Sequence, residues 1–282
     1  MHTDVVKADF DVLLTLISSL IGAQVGKRID PGDGWQNDAQ TLSIKFFKQL
    51  CSCRTILKPC SFQFSNGSEL RFVDHSSIMV LARACLESFL TLHWIFGATD
   101  RDLKSFRHSV WMFAGLQDRI KLNAISDEGR KKQEDSRAQA LELMKKIESS
   151  IHVKSYTSQQ LKELKKGDWK IGWNWRSEAV KAGYHPKHFD NIYKHLCGYS
   201  HSSYISALQV GAAQSLETQR FLADGGLQVC VHVMAKFVLF YSSLFTAAEQ
   251  IYAASGDAQK VVARWGFRPD DMDHLFEQDL GG

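Results

Sequence analysis

The chain has 282 residues, 44% of them apolar and 23% charged, a composition that supports a sizeable buried core and excludes extended disorder. A net charge of +3 and a pI near 8.4 lack the strongly basic balance that diagnoses a nucleic-acid binder, so an RNA partner is permitted and not demanded. Seventeen Phe and seven Trp supply bulky core material, and only Pro31, Pro59, Pro186 and Pro269 interrupt the chain, which favours an all-α fold, a multi-helix bundle.

Residues 4–25 place Val5, Phe10, Leu13, Leu14, Ile17, Leu20 and Ile21 at three- and four-residue spacings, which predicts a helix with one apolar stripe, ended by DPGDG at 30–34. The opening segment, MHTDVVKADF, is acidic and has no basic stretch leading into an apolar signal core, so a cytoplasmic setting with reduced thiols is expected. A second helix is predicted from about Gln36 to Leu57, with Ile44, Phe46, Phe47 and Leu50 inward and Pro59 closing it. Cys51, Cys53 and Cys60 are candidate zinc ligands by proximity in sequence, but no second Cys pair lies at ribbon spacing and the nearest downstream candidate is His75; packed or idle thiols are the simpler reading. Residues 61–74 alternate apolar and polar around Asn66-Gly67, which reads as either a small β-hairpin or an irregular loop.

Helical spacing returns from Ser76 to Phe96, where Arg83 and Glu87 fall one turn apart within an otherwise apolar run. A helix from about Asp102 to Ile125 carries Phe106, Val110, Phe113, Leu116 and Ile120 along one side. Residues 127–166 mix both charges and keep most of their apolar residues in 141–151, as an exposed helix or helical hairpin does. GDWKIGWNWR, residues 167–176, has no period and reads as a loop whose indoles wedge against the body, with stacking on bases as the alternative. A helix over 187–197, another from about Ser202 and a long spine from roughly Leu227 to Ala254 complete the core. Val229–Phe245, interrupted by His232 and Lys236, falls short of the ~20 residues of a membrane span. RWGFRPDD near the end reads as a packed cap, and no repeat or linker divides the chain, so one domain over 1–282 is expected.

The chemistry concentrates in YHPKHFDNIYKHLCGYSHSSY, which holds His185, His188, His195 and His201. On a helix, His188, Asn191 and His195 share one face, and Lys194, Cys197 and His201 form a neighbouring stripe. Gly198 is expected to end that helix and Ser200 or Ser202 to cap the next, leaving His201 at the corner. Three readings stand open. His201 acts as a general acid or base, imidazole being the side chain whose chemistry suits proton exchange near neutral pH, with Lys194 neutralising a phosphate oxygen. His185, His188 and His195 bind a metal. Or all four are polar packing residues. Arg83 and Glu87 form either an ordinary intrahelical pair or, if His201, Ser200 or Tyr193 completes their hydrogen bonds, the other half of a site.

The combination of RACLESFLTLHWIFG, WMFAGLQDRIKL and NIYKHLCGYSHSSY resembles a family of uncharacterised bacterial all-helical proteins with an Arg-x-x-x-Glu helix and a later Tyr-x-x-Leu-(x)-x-x-Ser-His motif; the likeness spans roughly residues 70–250. That family is similar in outline to the HEPN superfamily, helical bundles of toxin–antitoxin and phage-defence systems in which Arg-(x)4–6-His forms a metal-independent ribonuclease site across a dimer. The resemblance implies a core over about 70–254, no cofactor, an RNA substrate, a homodimer and an antitoxin or other protein partner; the charged segment 127–166 is expected as an excursion from that core, and the short apolar run leads to no membrane being expected. Its motif falls on Lys194-(x)6-His201, with His195 where a polar Asn often follows the Arg. An ammonium cannot clamp phosphate with two parallel hydrogen bonds, so Arg83 has to supply the guanidinium. His201, Lys194, Arg83 and Glu87 are therefore the expected catalytic group, with Ser200, Tyr193, His195 and Tyr204 toward substrate. A non-catalytic protein-interaction or dimerisation module is the alternative, and a metal-dependent enzyme using His185, His188 and His195 the third.

Overall fold

The structure, a computed structural model, describes residues 3–276. In chain order it runs α1 (Thr3–Gly22), α2 (Trp35–Ile56), a hairpin of β1 (Cys60–Gln63) and β2 (Glu69–Phe72), α3 (His75–Phe96), α4 (Arg101–Lys121), α5 (Asp127–Ser149), a 3₁₀ turn (Ile151–Ser155), α6 (Ser158–Lys165) and α7 (Trp175–Lys181). There follow α8 (Pro186–Ser200), α9 (Tyr204–Ala212), α10 (Leu216–Leu244), α11 (Thr246–Ala253), α12 (Gly256–Trp265), a second 3₁₀ turn (Pro269–Met272) and α13 (Asp273–Phe276). This is the expected all-α bundle with one small hairpin. Its residues form two compact units, one made of the chain up to Leu92 together with that from Ala179 on, the other of His93–Glu178.

In the first unit α10 is the spine, with Leu227, Val231, Met234, Phe237, Val238 and Tyr241 buried. α1 packs along it through Val6, Phe10, Leu13, Ile17 and Leu20, all fully buried, whereas Val5 is exposed and Leu14 half-buried. The inward stripe is thus rotated slightly from the one the sequence suggests. On α2 the buried line is Ala39, Ser43, Phe46, Leu50 and Cys53; Phe46 stacks on Phe237 at 4.5 Å, and Ile44 faces outward. The hairpin closes at Asn66-Gly67, where Gly67 has φ +82°, and pairs Cys60 with Phe72 through Gln63 with Glu69. The tail is stitched to α1 by the buried Asp9 carboxylate, which accepts from Arg264 at 2.7 Å and from the Trp265 indole at 2.8 Å.

α10 begins at Leu216, well before the expected Leu227, and stops at Phe245, whose extended backbone (φ −135°, ψ 118°) separates it from α11. Gly226 lies inside α10 and serves a close approach between helices. A Cβ on Gly226 would stand 2.9 Å from Ile78 Cγ2 and 3.2 Å from Met79 Sδ of α3. Gly226→Ala is therefore expected to destabilise the protein by about 1–3 kcal/mol despite alanine's better helix propensity, measured as a lowered urea midpoint with an unchanged m-value.

In the second unit α5 packs on α4 through Ser136, Ala140 and Ile147, and the charged segment is a helix followed by the short α6. The tryptophans of 167–176 gather on Trp94. Trp173 stacks on it at 5.0 Å, Trp169 meets both edge-on at 5.4 and 5.2 Å, and Trp175 meets Trp173 edge-on at 5.4 Å. α3 and α10 are long and apolar enough to cross a membrane, and two thirds of each such stretch (67%) is buried inside the protein.

Candidate active site

Arg83 and Glu87 project from one face of α3, and Tyr193 and His201 reach them from α8 and its C-terminal corner. Arg83 Nε donates to Glu87 Oε1 at 2.9 Å, and the Tyr193 hydroxyl donates to the same oxygen at 2.7 Å. The Arg83 guanidinium lies over the Tyr193 ring, 5.5 Å from its centre, and Nη1 stands 3.2 Å from His201 Nε2. A guanidinium has only donors, so Nε2 is the acceptor and this imidazole carries its proton on Nδ1. Partial burial works against the Arg83 charge, but Glu87 and the Tyr193 hydroxyl outweigh it and hold the group above its ordinary range. Burial and then the bond to Glu87 raise the Tyr193 phenol, which keeps its proton. His201 is exposed, Arg83 and Glu87 are half-buried, and the group opens to solvent at the imidazole.

A tight corner holds His201. α8 does not stop at Gly198 but runs on to Ser200, with His201 as its C-cap. Ser202 then adopts φ +51°, the one non-glycine residue in the left-handed region among the described residues, and the Ser203 amide turns back to the Gly198 carbonyl at 2.8 Å. Ser203, rather than Ser200 or Ser202, caps α9. Gly198 is there for space: a Cβ would sit 2.9 Å from the Ser203 hydroxyl. Non-glycine residues held at positive φ cost about 1–3 kcal/mol and cluster at functional sites.

The other expected site residues lie apart from this group. Ser200 Oγ donates to the Leu196 carbonyl of its own helix at 3.2 Å, and Tyr204 is 77% exposed. Lys194 is exposed, makes no ion pair or hydrogen bond among the described residues, and precedes His201 by seven residues, about 10 Å along a helix axis. His195 and His188, with Asn191 on the same face, line a mainly apolar cavity of about 470 Å³ that also touches Met79, one turn before Arg83. Cys197, close enough to Arg83 to act on its charge, shares the stripe of Lys194 and His201.

The three candidate metal histidines do not gather. His185 caps α8 through the His188 amide at 3.4 Å, stacks on Phe276 at 4.6 Å and approaches Asp273 at 3.4 Å, while His195 lies ten residues further along, about 15 Å of helix rise. The Cys51, Cys53 and Cys60 grouping also dissolves: Cys60 is exposed on β1 and Cys51 half-buried. Cys53 instead turns into the core, where its sulfur and those of Cys85 and Cys230 lie within 4.8 Å of one another. Burial raises Cys85 and bonds to the other two sulfurs raise Cys230, while Cys53, accepting from both, is lowered. No local spacing announces this cluster.

A further histidine, which the sequence marks only as an interruption of an apolar run, lines the cavity of His188 and His195. His232, 3% exposed on α10, has Nδ1 2.6 Å from the Trp265 carbonyl, so its proton is there, and its ring stacks on Phe267 at 4.1 Å. Burial pushes its pKa down to about 3.

No curated protein and no solved structure matches the chain. Residues 69–215, which run from β2 through α3 and the His201 corner to the start of α10 and cover just over half of the chain, match a family described as a family of unknown function, DUF5677, and the chain belongs to that family.

Proposed function

We propose that this protein is a HEPN-like, metal-independent endoribonuclease of bacterial defence or stress response, working in the cytoplasm as a homodimer and restrained by an antitoxin or other protein partner. The observation that carries the reading is the linked group Arg83, Glu87, Tyr193 and His201, which joins residues 118 positions apart around one solvent-facing imidazole. Arg83 supplies the planar guanidinium that Lys194 lacks, already braced by Glu87 and Tyr193. A phosphate arriving at the corner competes for the Nη1 hydrogens and frees His201 Nε2 to act as base. The imidazole takes the proton of a ribose 2′-hydroxyl, and that oxygen attacks the adjacent phosphorus. The bond to the 5′-oxygen breaks, a 2′,3′-cyclic phosphate forms, and the imidazolium returns its proton to the departing 5′-oxygen. Lys194, exposed on α8, is the residue proposed to meet RNA phosphates further along that helix.

Labelled RNA incubated with the protein in excess EDTA is expected to yield fragments ending in cyclic phosphate. Absence of fragments, or cleavage that the chelator abolishes, contradicts the proposal.

A second reading, a non-catalytic module that pairs with a second copy, is favoured by the apolar face of α9, where Tyr204, Ile205 and Leu208 are 77%, 65% and 53% exposed. It predicts a dimer in sedimentation, no RNA fragments, and dissociation by Leu208→Glu.

A further inference from the structure

α2, α3 and α10 each bring one cysteine to the same point in the core. Cys53, Cys85 and Cys230 are all completely buried, and their sulfurs lie within 4.8 Å of one another. Their surroundings repeat from helix to helix. The residues three before and four after each cysteine are Leu50 and Leu57, Ala82 and Phe89, and Leu227 and Met234, every one apolar and buried. Three thiols in an apolar cage do little for packing that three alanines or valines would not do. Together they offer a preformed set of three soft donors.

We propose that Cys53, Cys85 and Cys230 form a three-coordinate thiolate site for a soft trivalent ion, of which arsenic(III) is the type. Three properties of the cluster select that chemistry. Thiolate bonds of about 2.3 Å to a centre made pyramidal by its lone pair put three sulfurs about 3.5 Å apart, so the cluster closes on the ion with shifts of less than about 1 Å. No fourth His, Cys, Asp or Glu ligand atom joins them among the described residues, which disfavours zinc, a four-coordinate ion in structural sites. The cage is apolar, so net charge decides among the remaining soft ions. Three thiolates around Cu(I) bury two negative charges, whereas three around As(III) bury none. Loading is a substitution without redox change. Arsenous acid loses its three hydroxides, each leaving as water with one thiol proton, and three arsenic–sulfur bonds form. Because the sulfurs have no exposed surface, entry requires transient opening of the helices around them, and loading is expected to be slow.

The test uses reduced full-length protein under anaerobic conditions, incubated with arsenous acid and gel-filtered. Wild type is expected to retain one arsenic per chain, with an X-ray absorption spectrum of three sulfur neighbours and no oxygen. The variant Cys51→Ala/Cys60→Ala/Cys197→Ala, which leaves the core untouched, is expected to match it, and Cys85→Ala to lose the three-sulfur signature. Retention below one tenth of an equivalent in the triple variant, an oxygen neighbour in its spectrum, or equal retention by folded Cys85→Ala overturns the proposal. In competition with Cu(I) delivered as its acetonitrile complex, arsenic is expected to win; a copper preference overturns the assignment to a trivalent ion.

Discussion

Replacing His201 with alanine is expected, under the proposed ribonuclease activity, to slow RNA cleavage by about 10²–10⁴-fold, the range lost when a positioned proton-transfer group is removed. The melting temperature should move by no more than a few degrees, because the imidazole is exposed and its bond to Arg83 is made at the surface. That separation of effects is diagnostic. In a purely structural network the outer member contributes little to stability and nothing to a reaction. Arg83→Lys is the companion change. It keeps the charge but loses the planar fork that meets Glu87 with one nitrogen and His201 with another, and a loss of about 10²-fold is expected, comparable to removing one donor to a developing anion. Tyr193→Phe removes the second donor to Glu87 and leaves the ring beneath the guanidinium, so its effect should be smaller than either. Single-turnover rates on one RNA, with melting curves for each variant, check the order.

The second large effect is on stability in acid. His232 is neutral in the folded protein because burial drives its pKa to about 3, with Lys236 and His188 acting in the same sense. In the unfolded chain an imidazole titrates near ~6.5. Between those values the unfolded chain binds a proton that the folded one does not, so stability is fully present above about pH 6.5 and falls as pH drops toward about 3, at about 1.4 kcal/mol per unit. From pH 7 to pH 4 this one residue should account for about 3 kcal/mol. His232→Phe keeps a flat ring against Phe267 and removes the titration, at a constant cost from the lost bond to the Trp265 carbonyl. Urea unfolding of both proteins at pH 7, 5 and 4 should therefore show the wild type losing its advantage as pH falls. Parallel losses in the two proteins would refute this account of His232.

Much of the fold is legible where a strict helical period meets a clear stop. The spacing of Phe10, Leu13, Ile17 and Leu20 defines α1, and Asn66-Gly67 marks the hairpin because its turn needs positive φ. What period cannot settle is which of two adjacent apolar residues faces inward, so Val6 and Leu16 are buried where Val5 and Leu14 were expected. Glycines mislead for a related reason. Gly198 looks like a helix end but answers to Ser203 around the turn, and Gly226 within α10 answers to Ile78 of α3. At the site, the pairing of Arg83 with Glu87 and the shared face of His188, Asn191 and His195 follow from local spacing alone. The apposition of the Arg83 turn and the His201 corner is tertiary, and sequence supplies only the motive for it, an ion pair on an apolar helix in need of further partners. The cysteine cluster lies beyond local reading altogether, since its members come from three separate helices while the nearest thiols in sequence, Cys51 and Cys60, point elsewhere.

RNA binding at the Arg83–His201 corner, as proposed, can be measured by nuclear magnetic resonance without relying on turnover. A short 2′-O-methyl RNA, which presents phosphates but no attacking hydroxyl, is titrated into wild-type protein while the histidine ring signals are followed. The His201 ring signals are expected to shift saturably, and Arg83→Lys to weaken the response. Binding that leaves the His201 ring unmoved, or no binding at all, would contradict it.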